Sequence, residues 1–199
     1  MSRSVLYMSM SLDGFIAGPN DGPGNGLGDD GNRLHDWLWA GGSSGPSGVP
    51  GRPPGVNGQV FDEVLATGAV VTGRRTFEIA NGWAGDHHDG VPIFVLTRHT
   101  PDSETGKWPL VTYLSDVGAA LTQAKHAAGD RNVLVHGAVT ARLALAADVL
   151  DELEIHLVPV ILGQGRRLFD HLGPEHIELE RIRIVEGPGV THLRYRVRR

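Results

Sequence analysis

Three short segments of the chain combine glycine, arginine and hydroxyl side chains in a pattern that suits a phosphate-bearing ligand. They are residues 72–76 (TGRRT), 96–99 (LTRH) and 135–140 (VHGAVT). Each lies at the end of a short apolar run typical of a buried strand, and the first and third lead into helical patterns. Glycine allows close backbone approach, while arginine and helix N-termini attract anions. Parallel strands would bring all three segments to one sheet edge, where a dinucleotide could bind.

Small residues and arginines are also common at loop ends, so this pattern alone leaves the dinucleotide site open. Residues 26–31 match G-x-G-x-x-G, but no strand precedes them, no helix follows, and two aspartates would repel a pyrophosphate. Residues 86–89 (DHHD) contain metal-ligand side chains. Adjacent residues rarely converge on one ion, so we expect a solvated loop there and no metal site.

The composition excludes several classes of function. The chain has 199 residues without cysteine, which rules out thiolate nucleophiles, disulfides and cysteine-based metal centres. It lacks the G-x-S-x-G and P-loop motifs, which argues against hydrolase and kinase chemistry. The formal net charge of -5 argues against a general nucleic-acid binder. No apolar run approaches the roughly 18 residues of a membrane span, and no signal peptide is evident, so we expect a cytoplasmic protein.

Strand and helix patterns alternate through most of the chain. Residues 4–11 (SVLYMSMS), 69–72, 91–97 and 133–135 have the apolar character of buried strands. Helices are predicted at 59–66, at 117–128 with Ser115 as N-cap and Gly129 as stop, and at 138–150. This alternation predicts a mostly parallel sheet with helices on both faces.

The last third of the chain changes to strands without long intervening helices. Apolar residues alternate with polar ones at 153–157, 177–184 and 191–197, with a phase slip between Leu179 and Ile182 that indicates a bulge or a break. The predicted fold is therefore a three-layer α/β/α domain spanning residues 1–199. Its mixed sheet is mostly parallel, with antiparallel C-terminal strands.

Residues 18–58 form a long glycine- and proline-rich insertion within this domain. They hold 13 of the 28 glycines and six prolines, and structureless loops of this length are usually lids, binding loops or disordered insertions. The apolar island around Trp37 and Trp39 is too hydrophobic to lie wholly in water. We predict a lid on the substrate side; the alternative is a disordered insertion whose tryptophans pack on a neighbouring subunit.

Five collinear motifs resemble a known family. They are residues 9–17 (SMSLDGFIA), 71–77 (VTGRRTF), 95–98 (VLTR), 135–138 (VHGA), and 149–153 (VLDEL) continuing through 158–169 (VPVILGQGRRLF). Together they are similar to the dihydrofolate reductase-like family, in particular the reductase domain of bacterial riboflavin-pathway deaminase-reductases. The match covers nearly the whole chain apart from the insertion. The resemblance implies the same three-layer fold and NADPH as the cofactor.

The resemblance also implies which residues contact the cofactor. The family's segment beside the cofactor phosphates corresponds to Gly73, Arg74, Arg75 and Thr76, and its adenosine 2′-phosphate side corresponds to Leu96, Thr97 and Arg98. Its pyrophosphate turn corresponds to His136, Gly137, Ala138, Val139 and Thr140. Its nicotinamide side corresponds to Ser9, Ile16 and Ala17. The chain departs from the pattern at His136, where dihydrofolate reductases commonly have the first glycine of a Gly-Gly turn.

The catalytic group has two candidates. Asp13 resembles the aspartate that riboflavin-type reductases keep beside the nicotinamide, although a turn residue capping its own backbone would look the same. Glu63 lies on the helix where dihydrofolate reductases carry their catalytic carboxylate. Leu162 and Gly163, in the last motif, are predicted to contact the substrate together with Trp37.

The function implied is NADPH-dependent reduction of a small heterocyclic substrate of the pterin or ribosylaminopyrimidine type. A buried acid or water would supply the proton that accompanies the hydride. The alternative is a nucleotide- or ligand-binding protein that retains the fold without turnover. The long apolar-alternating C-terminal strands, which would otherwise expose a sheet edge, and the dimeric state of the resembled reductases predict a homodimer.

Overall fold

The computed structural model describes residues 2–42, 51–99, 107–174 and 176–198. Its strands, in chain order, are β1 Ser4–Ser11, β2 Phe15–Ala17, β3 Ala69–Gly73, β4 Ile93–Leu96, β5 Val111–Leu114, β6 Val133–His136, β7 Glu152–Val158, β8 Arg166–Arg167, β9 Leu179–Gly187 and β10 Val190–Val197. Its α-helices are α1 Asp36–Trp39, α2 Gly55–Leu65, α3 Arg74–Ile79, α4 Val117–Ala128 and α5 Ala138–Ala146. Within these ranges no helix is long and apolar enough to cross a membrane.

Eight strands form one twisted sheet in the order β5-β4-β3-β6-β1-β7-β10-β9. Strands β5, β4, β3, β6, β1 and β7 are mutually parallel, whereas β10 runs antiparallel to both β7 and β9. The short strands β2 and β8 pair separately. The predicted fold class, a mostly parallel mixed sheet with antiparallel strands at its C-terminal side, is confirmed.

The two faces of β1 divide the core between two layers of helices. Leu6 packs with the buried alanines and Leu121 of α4 on one face, and Val5 and Tyr7 pack with Phe77 of α3 on the other. Helix α4 has the predicted bounds, but Asp116 and not Ser115 caps it, accepting a 2.7 Å hydrogen bond from the amide of Ala119.

The phase slip in the last third of the chain corresponds to a bulge. The register between β9 and β10 shifts between Arg194 and Tyr195, opposite Ile182 of β9. Strand β7 is buried on both faces, so its polar residues Glu152 and Glu154 lie inside the protein. Burial of these carboxylates depends on arginines of the C-terminal hairpin: Arg194 Nε lies 2.8 Å from Glu152.

The insertion packs against the sheet through its apolar island. Residues 31–35 form a 3₁₀ turn that leads into α1, and Leu34 and Trp37 are buried. Helix α2 begins at Gly55, so the last four residues assigned to the loop belong to this helix. Residues 43–50, which are part of the predicted lid, lie outside the described residues.

Candidate functional site

The carboxyl ends of the parallel strands open into a cleft of about 1220 Å³. Its walls come from the ends of β1, β3, β4, β6 and β7, from the start of α5 and from the insertion. All residues that the sequence assigned to the cofactor line this cleft, as does Trp37: Ser9, Ile16, Ala17, Gly73, Arg74, Arg75, Thr76, Leu96, Thr97, Arg98, His136, Gly137, Ala138, Val139 and Thr140. The three segments with phosphate-binding character therefore meet at one edge of the sheet.

Two glycines and a buried hydroxyl form a cradle where β3, β6 and α5 meet. A Cβ atom at Gly73 would lie 3.2 Å from Thr140 Oγ1, and one at Gly137, whose φ is +90°, would lie 2.7 Å from Thr76 Oγ1. Thr140 Oγ1 is buried and has no hydrogen-bond partner among the described residues. The first amides of α5, from Ala138 onward, lack intrahelical partners. This arrangement can bind phosphate oxygens with a hydroxyl and backbone N–H groups.

Asp21 of the insertion holds two of the arginines that line the cleft. Its carboxylate lies 3.0 Å from Arg75 Nη2 and 2.9 Å from Arg166 Nε. Burial alone would raise the pKa of Asp21, but hydrogen bonds from Arg166 and Arg75 outweigh it and hold that pKa below its usual value. An incoming anion would therefore meet arginines whose charge is already partly compensated.

Other arginines of the cleft are less engaged. Arg74 pairs with Glu78 one helical turn away, with Nε to Oε1 at 2.6 Å. Neither Arg98 nor Arg142 forms an ion pair with any residue that the structure describes. Their charges are available to an anionic ligand. The hydroxyl of Thr97, by contrast, is used in a local turn, since it donates to the carbonyl of His99 at 2.7 Å.

Aromatic rings form the wall of the cleft next to the insertion. Trp37 is 4% exposed and its Nε1 donates to Ser9 Oγ at 3.0 Å. The indole packs against the rings of His156 and His192, with centroids 4.7 Å and 5.0 Å away. Tyr7 also lines this wall, and burial raises its pKa to about 12, so its phenol stays protonated. The wall therefore offers flat apolar surface to a ligand.

A row of three histidines starts at the cleft, which His136 and His87 line. His136 Nε2 lies 3.3 Å from His87 Nε2, and His87 Nδ1 lies 2.7 Å from His88 Nδ1. Burial lowers the pKa of His136 to about 4 and holds that of His87 well below its usual value. Both rings are neutral near pH 7. Residues 86–89 form a loop with Asp86 and Asp89 exposed, as expected, but the expected solvation is wrong for His88, which is buried against Thr67.

Asp13 does not line the cleft. Its carboxylate accepts hydrogen bonds from Ser11 Oγ at 2.6 Å and from the amides of Leu162 and Gly163 at 3.1 Å and 2.7 Å. The bond from Ser11 is the main cause that lowers the pKa of Asp13 to about 2. Leu162 and Gly163 likewise lie outside the cleft lining. The structure thus gives Asp13 the role of an ionised anchor for the loop after β7.

Glu63 points away from the cleft toward the C-terminal hairpin. Its carboxylate lies 2.5 Å from Arg183 Nη1 and 3.1 Å from Arg194 Nη1. The insertion lengthens the chain before α2, and the helix docks this residue against β9 and β10. Two guanidinium groups bind the Glu63 carboxylate, so Glu63 belongs to an ionic network with these arginines and not to the cleft wall.

Comparison with known proteins gives the family. The model of the RibD C-terminal domain matches residues 4–192. The chain belongs to this family. A relative among curated proteins is the uncharacterized protein YwjB of Bacillus subtilis (strain 168), which is 27% identical over 181 residues and covers 87% of this chain and 86% of its own length.

Solved structures share the fold. A Shewanella sp. PV-4 protein, provisionally named for riboflavin biosynthesis, has a TM-score of 0.71 at 21% identity and 99% coverage of both chains. A pyrimidine reductase-like protein of Corynebacterium diphtheriae has a TM-score of 0.62 at 15% identity, with 100% of this chain and 92% of that one covered. RibD of Acinetobacter baumannii has a TM-score of 0.64 at 16% identity, and all of this chain matches 58% of it.

Several residues of the cleft were missed by reasoning from the sequence. His156 lies on a strand whose polar face is buried, which alternation alone does not reveal. Asp21 and Arg166 are 145 residues apart, and no local pattern connects them. The flanking apolar residues Trp83 and Val91, both packed on the core, were the available signal that the histidines between them are buried.

Proposed function

We propose that the protein is an NADPH-dependent reductase that transfers a hydride to a small heterocyclic substrate of the pterin or ribosylaminopyrimidine type. The observation that carries the proposal is the cradle of Gly73, Gly137 and the unpartnered hydroxyl of Thr140, set in the cleft that all predicted cofactor residues line. Membership in the RibD C-terminal domain family supports a reductase of the riboflavin-pathway type.

The residues present fit NADPH. Thr140 Oγ1 and the first amides of α5 would hold the pyrophosphate, because this buried hydroxyl has no partner among the described residues and the amides have none within the helix. Arg98 and Arg142 would bind the 2′-phosphate through charge-assisted hydrogen bonds. Bound NADPH would supply the hydride.

The chain itself contributes positioning and exclusion of water. Trp37 covers the cleft from the insertion side, and with Tyr7 it provides flat walls for a heterocycle. Asp13 acts as a positioning residue that fixes the loop at Leu162 and Gly163, since a carboxylate with a pKa of about 2 holds no proton near pH 7. Asp21, the carboxylate among the described lining residues, has a lowered pKa, so a single water bound beside the substrate would supply the proton while bulk water is excluded.

Oligomerisation as a homodimer is part of the proposal. Leu193 of β10 faces Ile184 of β9, and Val197 faces Leu179, on the sheet face that α4 and α5 cover elsewhere. Ile184 is 48% exposed and Leu179 is also exposed. A contiguous apolar patch on this face is typical of a protein–protein interface.

A second candidate is a binding protein that retains the fold without turnover. One observation favours it: among the described residues that line the cleft, Asp21 is the only carboxylate, and two arginines already bind it. Substrate-dependent NADPH oxidation distinguishes the two functions, because a binding protein would hold the nucleotide without oxidising it.

The experiment combines binding and turnover. Calorimetry with NADPH is followed by a screen of dihydrofolate, pterins and ribosylaminopyrimidines for loss of absorbance at the reduced-nicotinamide band. Thr140→Val keeps the side-chain volume and removes the hydroxyl, so we expect NADPH binding about fivefold weaker. The matched change Thr112→Val, on β5 outside the cleft lining, should leave binding unchanged. Absence of NADPH binding by the unaltered protein contradicts the proposal.

A further inference from the structure

A hydrogen-bonded row crosses the C-terminal side of the sheet and ends at the cleft. Asn57 Nδ2 donates to the carbonyl of Pro188 at 3.2 Å. Asn57 Oδ1 lies 3.1 Å from His192 Nε2, and His192 Nδ1 lies 2.9 Å from His156 Nδ1. All three polar side chains of the row are buried, and His156 lines the cleft.

The row fixes the position of each proton. A carbonyl only accepts, so the amide group of Asn57 must face Pro188 with its nitrogen and His192 with its oxygen. His192 therefore donates from Nε2, and its Nδ1 is left as an acceptor. His156 must then donate from Nδ1, which leaves a lone pair on its Nε2.

The free nitrogen of His156 belongs to a buried side chain at the cleft wall. The residue is 4% exposed, and no described residue forms a hydrogen bond with its Nε2. Burial, together with the neighbouring His192, His35, His136 and Arg183, holds the pKa of His156 well below its usual value, so the ring stays neutral. Because His156 lines the cleft, a ligand or a water molecule there can donate a hydrogen bond to this nitrogen.

The surroundings of His156 restrict the shape of that ligand. Trp37 lies against its ring with a centroid distance of 4.7 Å, and Tyr7 stacks at 6.2 Å with an interplanar angle of 28°. Trp37, Tyr7 and His156 all line the cleft, and their neighbouring rings favour a planar ligand there. The lone pair requires that this ligand present a donor at its edge.

We propose that His156 is a specificity-determining residue whose Nε2 accepts a hydrogen bond from an N–H group of a planar heterocyclic substrate. The inference rests on the proposed function for the substrate class, and it adds which edge of the heterocycle the cleft selects. Ligands of the same shape that carry only acceptors or methyl groups at that edge bind more weakly, because they displace water from Nε2 without replacing its hydrogen bond.

The test uses nitrogen NMR of the full chain labelled with ¹⁵N-histidine, assigned with His156→Gln. In the unliganded protein we expect a protonated Nδ1 and an unprotonated Nε2 at His156. Uracil, which bears ring N–H groups, should shift the Nε2 resonance, whereas 1,3-dimethyluracil, which has none, should not. A protonated Nε2, no shift with uracil, or equal shifts with both probes overturns the inference.

A variant pair provides an affinity readout. His156→Phe keeps a planar ring and removes the acceptor, so uracil should bind about fivefold more weakly while 1,3-dimethyluracil is unaffected. His126→Phe, the same change at an exposed site on α4, should match the unaltered protein. Equal uracil affinity in His156→Phe also contradicts the inference. No step requires NADPH, so calorimetry with NADPH on the same samples separates a failure of the reductase proposal from a failure of this one.

Discussion

The indole nitrogen of Trp37 donates a 3.0 Å hydrogen bond to the hydroxyl of Ser9, which joins the long insertion to the first strand of the sheet. Ser9 lies beside His156 in the pairing of β1 with β7, so the contact is made at the cleft wall. Trp37 thus packs against the sheet of its own chain, as a lid that lies on the cleft would require. Trp39 from the same helix is 44% exposed.

Trp37→Ala should weaken substrate binding more than NADPH binding. The substitution removes one wall of the cleft and the bond to Ser9, and truncation of a buried tryptophan costs about 3 to 5 kcal/mol of stability. Urea unfolding, KM for the substrate and calorimetry with NADPH measure the three effects. Trp39→Ala serves as control and should cost under about 1 kcal/mol of stability. If Trp37→Ala lowers the affinities for substrate and for NADPH equally, the hypothesis that the insertion is a lid on the substrate side is wrong.

The class of sheet, mostly parallel with antiparallel C-terminal strands, could be predicted because the hydrophobic pattern of each strand matches its burial in the fold. The runs that become β1, β3, β4 and β6 are mostly apolar, which is typical of parallel strands buried on both faces. The alternating pattern of the C-terminal strands likewise predicted the antiparallel hairpin of β9 and β10. Helix boundaries were less certain: α2 starts at Gly55 inside a stretch whose composition indicated a loop.

The cleft could be predicted only where its residues are close in sequence to a strand end. Gly73 is the last residue of β3, and Thr97 and Gly137 directly follow β4 and β6, so a shared edge brings them together. The environments of His156 and Asp21 depend on contacts that are distant in sequence: His156 contacts His192, 36 residues away on β10, and Asp21 binds Arg166, 145 residues away on β8. Glu63 was predicted to be a catalytic candidate but does not line the cleft. Its helix was predicted, whereas the direction of its side chain depends on arginines of the β9–β10 hairpin.

Arg98→Ala should weaken NADPH binding about 10- to 100-fold and leave NADH binding nearly unchanged. Arg98 lines the cleft without an ion-pair partner among the described residues, so its charge is available to a 2′-phosphate, and hydrogen bonds to charged groups contribute about 1.5 to 3 kcal/mol. Calorimetry with both nucleotides measures the ratio. Arg198→Ala, an exposed arginine outside the cleft, is the control. An equal loss of affinity for NADPH and NADH would show that Arg98 does not bind the 2′-phosphate.

Ile184→Asp should convert the proposed dimer to a monomer. The side chain lies on the exposed apolar face of the C-terminal hairpin, opposite Leu193, and a buried unpaired carboxylate at an interface is strongly unfavourable. Light scattering at micromolar concentration gives the mass. Ile161→Asp introduces the same charge at a 71% exposed site on another surface and should leave the mass unchanged. A monomeric mass for the unaltered protein contradicts the dimer.

Acid should destabilise the protein between about pH 6.5 and pH 4 because its buried histidines are neutral in the folded state. Burial lowers the pKa values of His35, His136 and His192 from 6.5 to about 4. In this window the unfolded chain binds more protons than the folded one, so the free energy of unfolding rises with pH and falls on acidification. For His192, the lowering of the pKa from 6.5 to about 4 corresponds to about 3 kcal/mol of unfolding free energy over the whole window. Protonation of Asp13, whose pKa is about 2, lowers the free energy of unfolding further only below about pH 4.

The measurement is urea unfolding at about pH 7 and about pH 5 for the unaltered protein, His192→Gln and His126→Gln. His192 is fully buried, so its replacement removes one titrating ring from the folded interior and should make the pH dependence of the unfolding free energy shallower, even though the variant is less stable at both pH values. His126 is exposed on α4, and its replacement should leave the dependence as it is. A dependence equally steep in His192→Gln and in the unaltered protein would show that this ring is not neutral and buried in the folded state.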